Sequence, residues 1–298
     1  MKKPCRLCEN NSELKKSHII PKSIIKWMKN TSATGYLRSS ENMNIVKQDG
    51  LKLPFLCSEC ECLFSTYEKY FYEQIFLPLH DDKERIAYNN NLLKFAASLS
   101  WRALKYFIEE DEIDHLNEKQ IKNSTIALQR WKDYLFNKEN SPGIFELHFY
   151  NFIGVVSSTG DLPNNTHRYL HRSIDFNLYS SSDVAFIYIK LPGLIIIGYI
   201  TLPNDIEEFR DTRIKVANGK INPMNYTAPI YLLDIIKDEA QKIAEYQNSI
   251  SEKQQSKIND KYKNNTQRAS QSRTVQAIRE DMQLSKKHSI INNDNKDK

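Results

Sequence analysis

Apolar side chains recur at helical spacing through residues 60–137. Phe64, Tyr67 and Phe71 lie three and four residues apart, and no helix breaker occurs before Pro78. Such intervals place side chains on one face of an α-helix, so a helix is predicted from about residue 60. Two further stripes follow, at Leu92, Phe95, Ala96, Leu99 and Leu104 and then at Ile121, Ile126, Leu128, Trp131 and Leu135. Residues 83–137 are therefore predicted to form two or three helices.

From residue 144 to about residue 201 the apolar residues become β-branched and form short runs. These runs are residues 144–156, 174–179, 184–189 and 194–200. The turn-forming pairs Asn164-Asn165 and Pro192-Gly193 separate them. The pattern predicts a small, mostly antiparallel sheet whose core face comes from the last two runs.

A last apolar stripe is followed by a change of composition. Ile230, Leu233, Ile236 and Ile243 predict a helix over residues 229–246. Beyond Ser249 the chain is rich in Lys, Gln, Asn and Ser and has almost no large apolar side chains. Such a segment buries too little apolar surface to fold alone, so a disordered basic tail is predicted there unless a partner orders it.

Together these patterns predict an α+β protein in three parts. Residues 1–80 form a cysteine-containing module, residues 81–249 an α+β domain of unknown function, and residues 250–298 a flexible basic tail. With 298 residues, 40% of them hydrophobic, the chain can bury a core for two domains. It has only 8 Gly and neither a GxGxxG nor a GxxxxGK[ST] motif, which argues against the usual nucleotide-binding loops.

Two CxxC pairs are the most specific chemical signal in the chain. Cys5 and Cys8 form the first pair, and Cys57 and Cys60 form the second, with 48 residues between the pairs. Four thiolates make a closed tetrahedral set for Zn²⁺. Because such a site has no open coordination position, the zinc is expected to hold the fold and not to activate water. Cys62 is interpreted as a bystander thiol.

The elements around the second pair predict how the module is built. The turn signal Asp49-Gly50 precedes a short strand over residues 52–56, and the predicted helix begins at the second CxxC pair. A zinc knuckle, a hairpin and a helix whose first turn supplies the last two ligands form a treble clef. Residues 1–80 are therefore predicted to be a zinc treble clef with four cysteine ligands.

Cysteine usage and apolar runs predict a cytoplasmic protein without a membrane partner. Paired cysteines at metal-binding spacing fit a reducing compartment better than a disulfide framework does. The N-terminus lacks the apolar segment of a signal peptide. The longest apolar run, residues 191–200, contains Pro192 and Gly193 and is far shorter than a membrane span.

Positive charge is concentrated at the two ends of the chain. Residues 1–30 carry eight Lys or Arg against two Glu, and residues 250–298 carry eleven against six acidic residues. Two basic ends around a mildly acidic middle predict a nucleic-acid contact at the cysteine module. The candidate phosphate-binding residues are Lys15, Lys16, Lys22 and Lys26. The alternative interpretation is a solvated lysine surface.

The segment Ser17-His18-Ile19-Ile20-Pro21 lies between the two CxxC pairs. A His-Ile-x-Pro strand after one pair, with a polar residue directly after the last cysteine of the other, resembles the zinc-bearing branch of the HNH, or ββα-metal, endonucleases. The resemblance covers about the first 75 residues. Its most specific feature is the joint order of knuckle, His-Ile-Ile-Pro and knuckle.

This resemblance implies a metal-dependent endonuclease that hydrolyses phosphodiester bonds of DNA or RNA. It implies that His18 is the general base and that Glu61 is a ligand of a catalytic Mg²⁺ or Mn²⁺. It also implies that a loop asparagine, Asn44 or Asn42, orients His18. By analogy of architecture, a nuclease module joined to an unrelated second part suggests a role in bacterial defence against phage.

The sequence departs from the family pattern at the metal positions. Ser17 stands where the family has a metal-binding Asp, His or Glu, and Glu61 stands where it has a His. Glu68 lies seven residues after Glu61 on the same helix face and is a candidate to complete the metal site. In the structural interpretation, His18 is only a hydrogen-bond partner near the zinc. Glu61 and Glu68 are then charges on the helix surface. The partial positive charge at the helix N-terminus favours the carboxylate of Glu61 in the first turn.

Two basic pairs form a weaker candidate in the predicted β region. His167-Arg168 and His171-Arg172 are four residues apart, and on a strand the two histidines would share a face. They are candidates for a phosphate contact or a second site, and the simpler interpretation is a polar strand edge.

Three functional hypotheses follow from the sequence. The first is the HNH-like endonuclease, and the second is a zinc treble clef that binds nucleic acid or protein without cleaving it. In the third, the zinc module only scaffolds the rest of the chain. A homo-oligomer contact or a protein partner is assigned to residues 81–298.

Overall fold

A computed structural model of the chain describes residues 2–39, 42–83, 85–154, 162–221 and 227–294. It consists of helices and small antiparallel sheets, which confirms the predicted α+β class. Within the described ranges, no helix has both the length and the apolar character that crossing a membrane requires.

The N-terminal part contains three two-stranded sheets and the first helices. Its elements in chain order are β1 (Lys3–Pro4), β2 (Asn11–Ser12), β3 (Lys15–His18), α1 (Lys22–Asn30), β4 (Leu37–Arg38), β5 (Val46–Lys47), β6 (Lys52–Leu56) and α2 (Ser58–Tyr70). β1 pairs with β2, β3 with β6, and β4 with β5, all antiparallel. α1 and the β4–β5 pair are therefore an insertion between the two strands of the β3–β6 ribbon.

The helix that begins after Cys57 continues through a π-helical segment and past a proline. A π-helical segment (Phe71–Phe76) follows α2, and α3 (Leu77–His80) continues it past Pro78. Proline has no N–H to extend the α-helical hydrogen-bond ladder, and the shifted π-helical pattern lies directly before it. The helical segment therefore extends two residues beyond Pro78, the first helix breaker in its sequence.

The second part is built around one four-stranded sheet. Its elements are β7 (Ile86–Tyr88), α4 (Asn90–Glu109), α5 (Glu118–Leu135), β8 (Leu147–Asn151), α6 (Thr166–Arg172), β9 (Asp175–Ser180), β10 (Ala185–Leu191), β11 (Leu194–Thr201), a 3-10 helix (Ile206–Thr212), β12 (Gly219–Ile221) and α7 (Ile230–Asn248). The sheet order is β8-β11-β10-β9, with every pair antiparallel, while β12 pairs with β7.

This sheet is buried on both faces, which explains its continuous apolar strands. Ile187 and Ile196 belong to the core under α4 and α5, whereas Tyr188 and Ile197 belong to a second core under α6 and α7. Successive strand residues point to opposite faces, so a strand covered on both sides needs apolar side chains at every position.

The larger core runs without interruption from the cysteine module into the second part. The rings of Phe71, from the π-helical segment, and Phe95, from α4, are stacked with centroids 3.9 Å apart. Trp101 of α4 contacts Phe55 and Phe64 edge to face. Residues on both sides of position 80 therefore share one hydrophobic core.

The prediction of a disordered tail is wrong for the described residues beyond Ser249. They form α8 (Glu252–Asn264), α9 (Thr266–Gln271) and α10 (Arg273–Asp294). Ala269 and Ala277 are buried, and α10 packs against α6. Small side chains and polar contacts dock this segment onto the rest of the protein. A prediction from composition misses such docking because it depends on the content of large apolar residues, which is low here.

Two further expectations in the β region are corrected. Residues 166–172 form the helix α6, so His167 and His171 do not lie on a strand. Of the run 144–156, only Leu147–Asn151 is a strand; residues 155 and 156 lie outside the described ranges.

Candidate functional site

The four predicted zinc ligands lie together. Cys5 and Cys8 are in the turn between β1 and β2, Cys57 caps α2, and Cys60 is in its first turn. All four Sγ atoms lie within 4.8 Å of one another, and those of Cys8 and Cys57 are 3.7 Å apart. Zinc–sulfur bonds of about 2.3 Å give a tetrahedral sulfur–sulfur separation of about 3.8 Å. The cluster could therefore hold a metal ion such as zinc.

The electrostatics of the cluster fit a bound cation. Burial opposes ionisation of Cys5, but backbone N–H donors, including that of Cys57, lower its pKa to about 7. Burial raises the pKa of Cys8, and burial together with the neighbouring thiols raises the pKa of Cys60. Four thiolates in this pocket need a cation to compensate their charge. Cys62 is exposed and outside the cluster.

His18 is paired with the carboxylate of Asp49, whose position in the sequence indicates only a turn. Its Nε2 lies 2.7 Å from Asp49 Oδ1. Asp49 also accepts hydrogen bonds from Lys52 Nζ, at 2.8 Å, and from the Gly50 N–H, at 3.0 Å. Partial burial opposes ionisation of Asp49, but Lys52 and His18 hold its pKa at about 2. An ionised Asp49 accepts from Nε2–H and leaves Nδ1 of His18 as the basic nitrogen.

Asn44 does not orient His18. Its Nδ2 donates to the Ser249 carbonyl at 3.1 Å, and its Oδ1 accepts from the Ser251 N–H at 2.8 Å. Asn42 makes a local turn contact, in which its Oδ1 accepts from the Asn44 N–H. The expectation for Asn44 is corrected: the residue anchors the start of the C-terminal helices, and Asp49 is the partner of His18.

Ser17 and Glu61, the two positions that the resemblance compares with metal ligands, are in contact. Ser17 Oγ donates to Glu61 Oε2 at 2.5 Å, and Ser17 is completely buried. Because neighbouring strand residues face opposite sides, Ser17 and His18 point to opposite faces of the β3–β6 ribbon. The Ser17–Glu61 contact and the His18–Asp49 contact therefore lie on different faces.

Glu68 is an ion-pair partner and not a member of a metal cluster. Its Oε1 lies 2.7 Å from the guanidinium of Arg102, whose side chain is only 1% exposed. Among the described residues, no group of three ligand-type side chains includes Glu61 or Glu68. The prediction that Glu68 completes a divalent site with Glu61 therefore lacks the required geometry.

The four predicted phosphate-binding lysines are all exposed. Lys15 and Lys16 lie on β3, and Lys16 shares a strand face with His18, two residues on. Lys22 and Lys26 are four residues apart on α1 and therefore share a helix face. Within the described ranges, none of the four forms an ion pair with a carboxylate.

Three other histidines lie outside this site: His80, His167 and His171. His80 is buried, and its ring contacts Trp27 at a centroid distance of 4.3 Å. His167 and His171 lie on α6, at the contact with α10.

Comparison with protein-family models, with curated proteins and with solved structures finds no match for this chain. The chemistry of the site therefore rests on its own residues.

Proposed function

We propose that the N-terminal module is an HNH-like endonuclease that hydrolyses phosphodiester bonds of DNA or RNA. The observation that carries the proposal is the 2.7 Å contact between His18 Nε2 and Asp49 Oδ1. A carboxylate that holds one nitrogen of an imidazole fixes its tautomer and leaves the other nitrogen to accept a proton. His18 Nδ1 is then the general base that takes the proton of the attacking water.

The charges around His18 support a polyanionic substrate. Lys16 lies on the same strand face as His18, and Lys15, Lys22 and Lys26 are exposed without carboxylate partners among the described residues. Unpaired lysines bind a phosphate backbone by displacing its counterions, without reading base sequence. We therefore propose that this surface holds the backbone beside the base.

The metal requirements of the proposal are of two kinds. In the treble clef that we propose for residues 1–80, zinc in the four-cysteine cluster holds the module together. A separate Mg²⁺ or Mn²⁺ would neutralise charge on the phosphate, and such an ion often binds through one or two carboxylates together with water and substrate oxygens. Glu61, with the Ser17 hydroxyl 2.5 Å away, is the one anchor that the predicted position offers.

A second candidate function is binding without cleavage. It is favoured by the position of the Ser17–Glu61 contact, on the ribbon face opposite His18. A base and a metal anchor on different faces do not meet at one phosphate. In this alternative, the zinc module grips nucleic acid, and the His18–Asp49 contact only rigidifies the loop after β5.

A cleavage assay distinguishes the two. Wild-type protein, His18→Ala and Asp49→Asn are incubated with plasmid DNA and with a structured RNA, in Mg²⁺, in Mn²⁺ and in EDTA. His115→Ala is the matched control, because His115 is 42% exposed, pairs with Asp114 and lies outside the module. Zinc content is measured for every variant, so that a folding defect is recognised.

The nuclease proposal expects divalent-dependent cleavage that His115→Ala retains and that His18→Ala loses while it keeps its zinc. Retardation of nucleic acid by wild type and His18→Ala alike, with no cleavage of either substrate, would support the binding function instead.

A further inference from the structure

A second group of metal-type ligands lies between α6 and α10. His167 and His171 are four residues apart on α6, and their rings are parallel, with centroids 5.7 Å apart and planes at 10°. Glu280 of α10 faces them, and its Oε2 lies 3.6 Å from His167 Nδ1. One ligand atom from each of the three residues lies within 4.8 Å of the other two. Three donors from two helices thus converge on one point.

The unsatisfied nitrogen of His167 points to a missing ligand. The His167 side chain is 10% exposed, and its Nδ1 is buried without a hydrogen-bond partner. A buried polar atom without a partner is costly and calls for an explanation. The 3.6 Å separation from Glu280 is too long for a hydrogen bond. It is close to the roughly 3.4 Å between two ligand atoms of a tetrahedral zinc with bonds of 2.0–2.1 Å.

The residue next to Glu280 fixes the two helices against each other. Asp281 Oδ1 accepts from the His167 N–H at 2.8 Å, and its Oδ2 lies 3.0 Å from Arg168 Nε. Asp281 thereby satisfies the free N–H groups at the start of α6 from across the interface. This contact positions Glu280 in front of the two rings before any ion binds.

Cationic groups lie near His171, among them Lys190 and Arg273. Lys190 is itself completely buried and donates to three backbone carbonyls, those of Leu170, Ser173 and Leu191. These cations repel a dication, and Glu280 and Asp281 oppose that repulsion. We therefore expect this site to bind more weakly than the four-cysteine cluster.

We propose that His167, His171 and Glu280 form a second zinc site, which fastens α10 to α6. Two imidazole nitrogens and one carboxylate oxygen are a donor set that suits Zn²⁺, with a water at the fourth position. The site is independent of the nuclease proposal. It gives the C-terminal helices a metal-dependent attachment to the body of the protein.

Metal analysis of the full-length protein tests this site directly. After saturation with Zn²⁺ and removal of unbound ion, wild type should hold two zinc ions per chain, and His171→Ala and Glu280→Gln should each hold one. His115→Ala and Glu252→Gln, both at exposed positions, serve as controls and should hold two. Glu280 is 32% exposed, so Glu280→Gln removes the charge without disturbing the fold. One zinc in wild type, or two in Glu280→Gln, would overturn the proposal.

Cobalt substitution identifies the ligands by spectroscopy. Cobalt in the four-cysteine cluster gives thiolate charge-transfer absorption, whereas cobalt bound to nitrogen and oxygen gives only ligand-field bands. The difference between wild type and Glu280→Gln should therefore contain ligand-field bands without thiolate charge transfer. Zn²⁺ should also slow amide exchange of residues 273–284 at least tenfold in wild type and leave Glu280→Gln unchanged. A difference spectrum with thiolate bands would overturn the assignment.

Discussion

Arg102 of α4 lies 2.7 Å from Glu68 of α2, and its side chain is 1% exposed. The same guanidinium donates to the backbone carbonyl of His18 at 2.8 Å and lies over the ring of Phe64. One buried cation thus joins the helix after the second CxxC pair, the strand that carries His18, and the helical part beyond residue 80. The position of His18 depends on a residue 84 positions later in the chain.

Removing the carboxylate from this pair should destabilise the protein. Glu68→Gln leaves the Arg102 charge buried without compensation, and breaking a buried pair in this way typically costs about 3–5 kcal/mol. Since Glu68 is 23% exposed and water can reach the site, we expect the free energy of unfolding to fall by about 2–3 kcal/mol. Urea denaturation measures the change.

Glu59→Gln, at an exposed position in the first turn of α2, is the matched control for this prediction. It should lower the unfolding free energy by less than about 1 kcal/mol. Glu68→Gln with unchanged stability but an altered Mg²⁺ or Mn²⁺ requirement would contradict the ion-pair role and restore Glu68 as a metal ligand.

Local signals in the sequence predicted much of this fold. CxxC spacing found the four cysteines because both ligands of each pair lie within one turn. Apolar periodicity found α4, α5 and α7, and β-branched runs found β9, β10 and β11, because each pattern is contained in one element. The partners of His18 and Glu68 were missed for the opposite reason. Asp49 and Arg102 reach them from other elements, and no local pattern encodes either contact.

The largest errors share a physical origin. α6 has only seven residues, too few for a helical period to stand out, and its N-terminal N–H groups are satisfied by Asp281, more than a hundred positions away. The C-terminal helices were predicted to be disordered from their composition. Their docking uses buried alanines and polar contacts to backbone carbonyls, which hydrophobicity does not register.

Loss of one zinc-cluster thiol should unfold the N-terminal module. Cys57→Ser leaves only three thiolates in the cluster, so we expect loss of tight zinc binding and a large fall in thermal stability. Zinc release followed with a colorimetric chelator measures the first effect, and calorimetry the second. Cys62→Ser is the control: it changes an exposed thiol two residues beyond Cys60 and should retain wild-type zinc. Equal zinc in both variants would refute the assignment of the cluster.

Asp49→Asn tests how His18 is positioned. In the proposed nuclease mechanism, an amide in place of the carboxylate would no longer stabilise the imidazolium of His18, so the kcat of the proposed cleavage should fall about 10- to 100-fold. KM should change little, because the lysine surface is intact. Asp114→Asn, which alters an exposed carboxylate beside His115, is the control and should keep wild-type kcat. An effect on KM alone would assign Asp49 to substrate binding.

His80 should make the folded state sensitive to acid. Burial lowers its pKa from 6.5 to about 3, against the hydrogen bond between its Nε2 and the Pro192 carbonyl. Below pH 6.5 the unfolded chain binds a proton at His80, whereas the folded protein does not bind it until about pH 3. The free energy of unfolding therefore falls as the pH drops from 6.5 towards 3. The decrease amounts to about 1.4 kcal/mol per pH unit.

Denaturation at a series of pH values checks this sign. Between pH 6 and pH 4, the unfolding free energy of His80→Gln should decline less steeply than that of wild type, by about 1.4 kcal/mol per unit. His115→Gln, at a half-exposed histidine, should keep the wild-type slope. Parallel slopes for wild type and His80→Gln would show that His80 is not the buried neutral group described here.

Arg268 should control how firmly α8 and α9 are docked. Its Nε donates to the Ser32 carbonyl at 3.1 Å, and its NH2 group donates to the Lys29 carbonyl at 3.2 Å. One guanidinium thus contacts carbonyls at, and just beyond, the C-terminal end of α1, where a positive charge is favoured. In Arg268→Gln both contacts are lost, at about 1.5 kcal/mol or more, which corresponds to at least a tenfold rise in local opening.

Amide exchange of residues 252–271 should accelerate by that factor, while Arg279→Gln, at an exposed position on α10, should leave it unchanged. Because α8 begins beside the Asn44–Ser251 contact, the same variant should also speed amide exchange in residues 42–47. Acceleration confined to residues 273–284 would instead show that the docking depends on α10 alone.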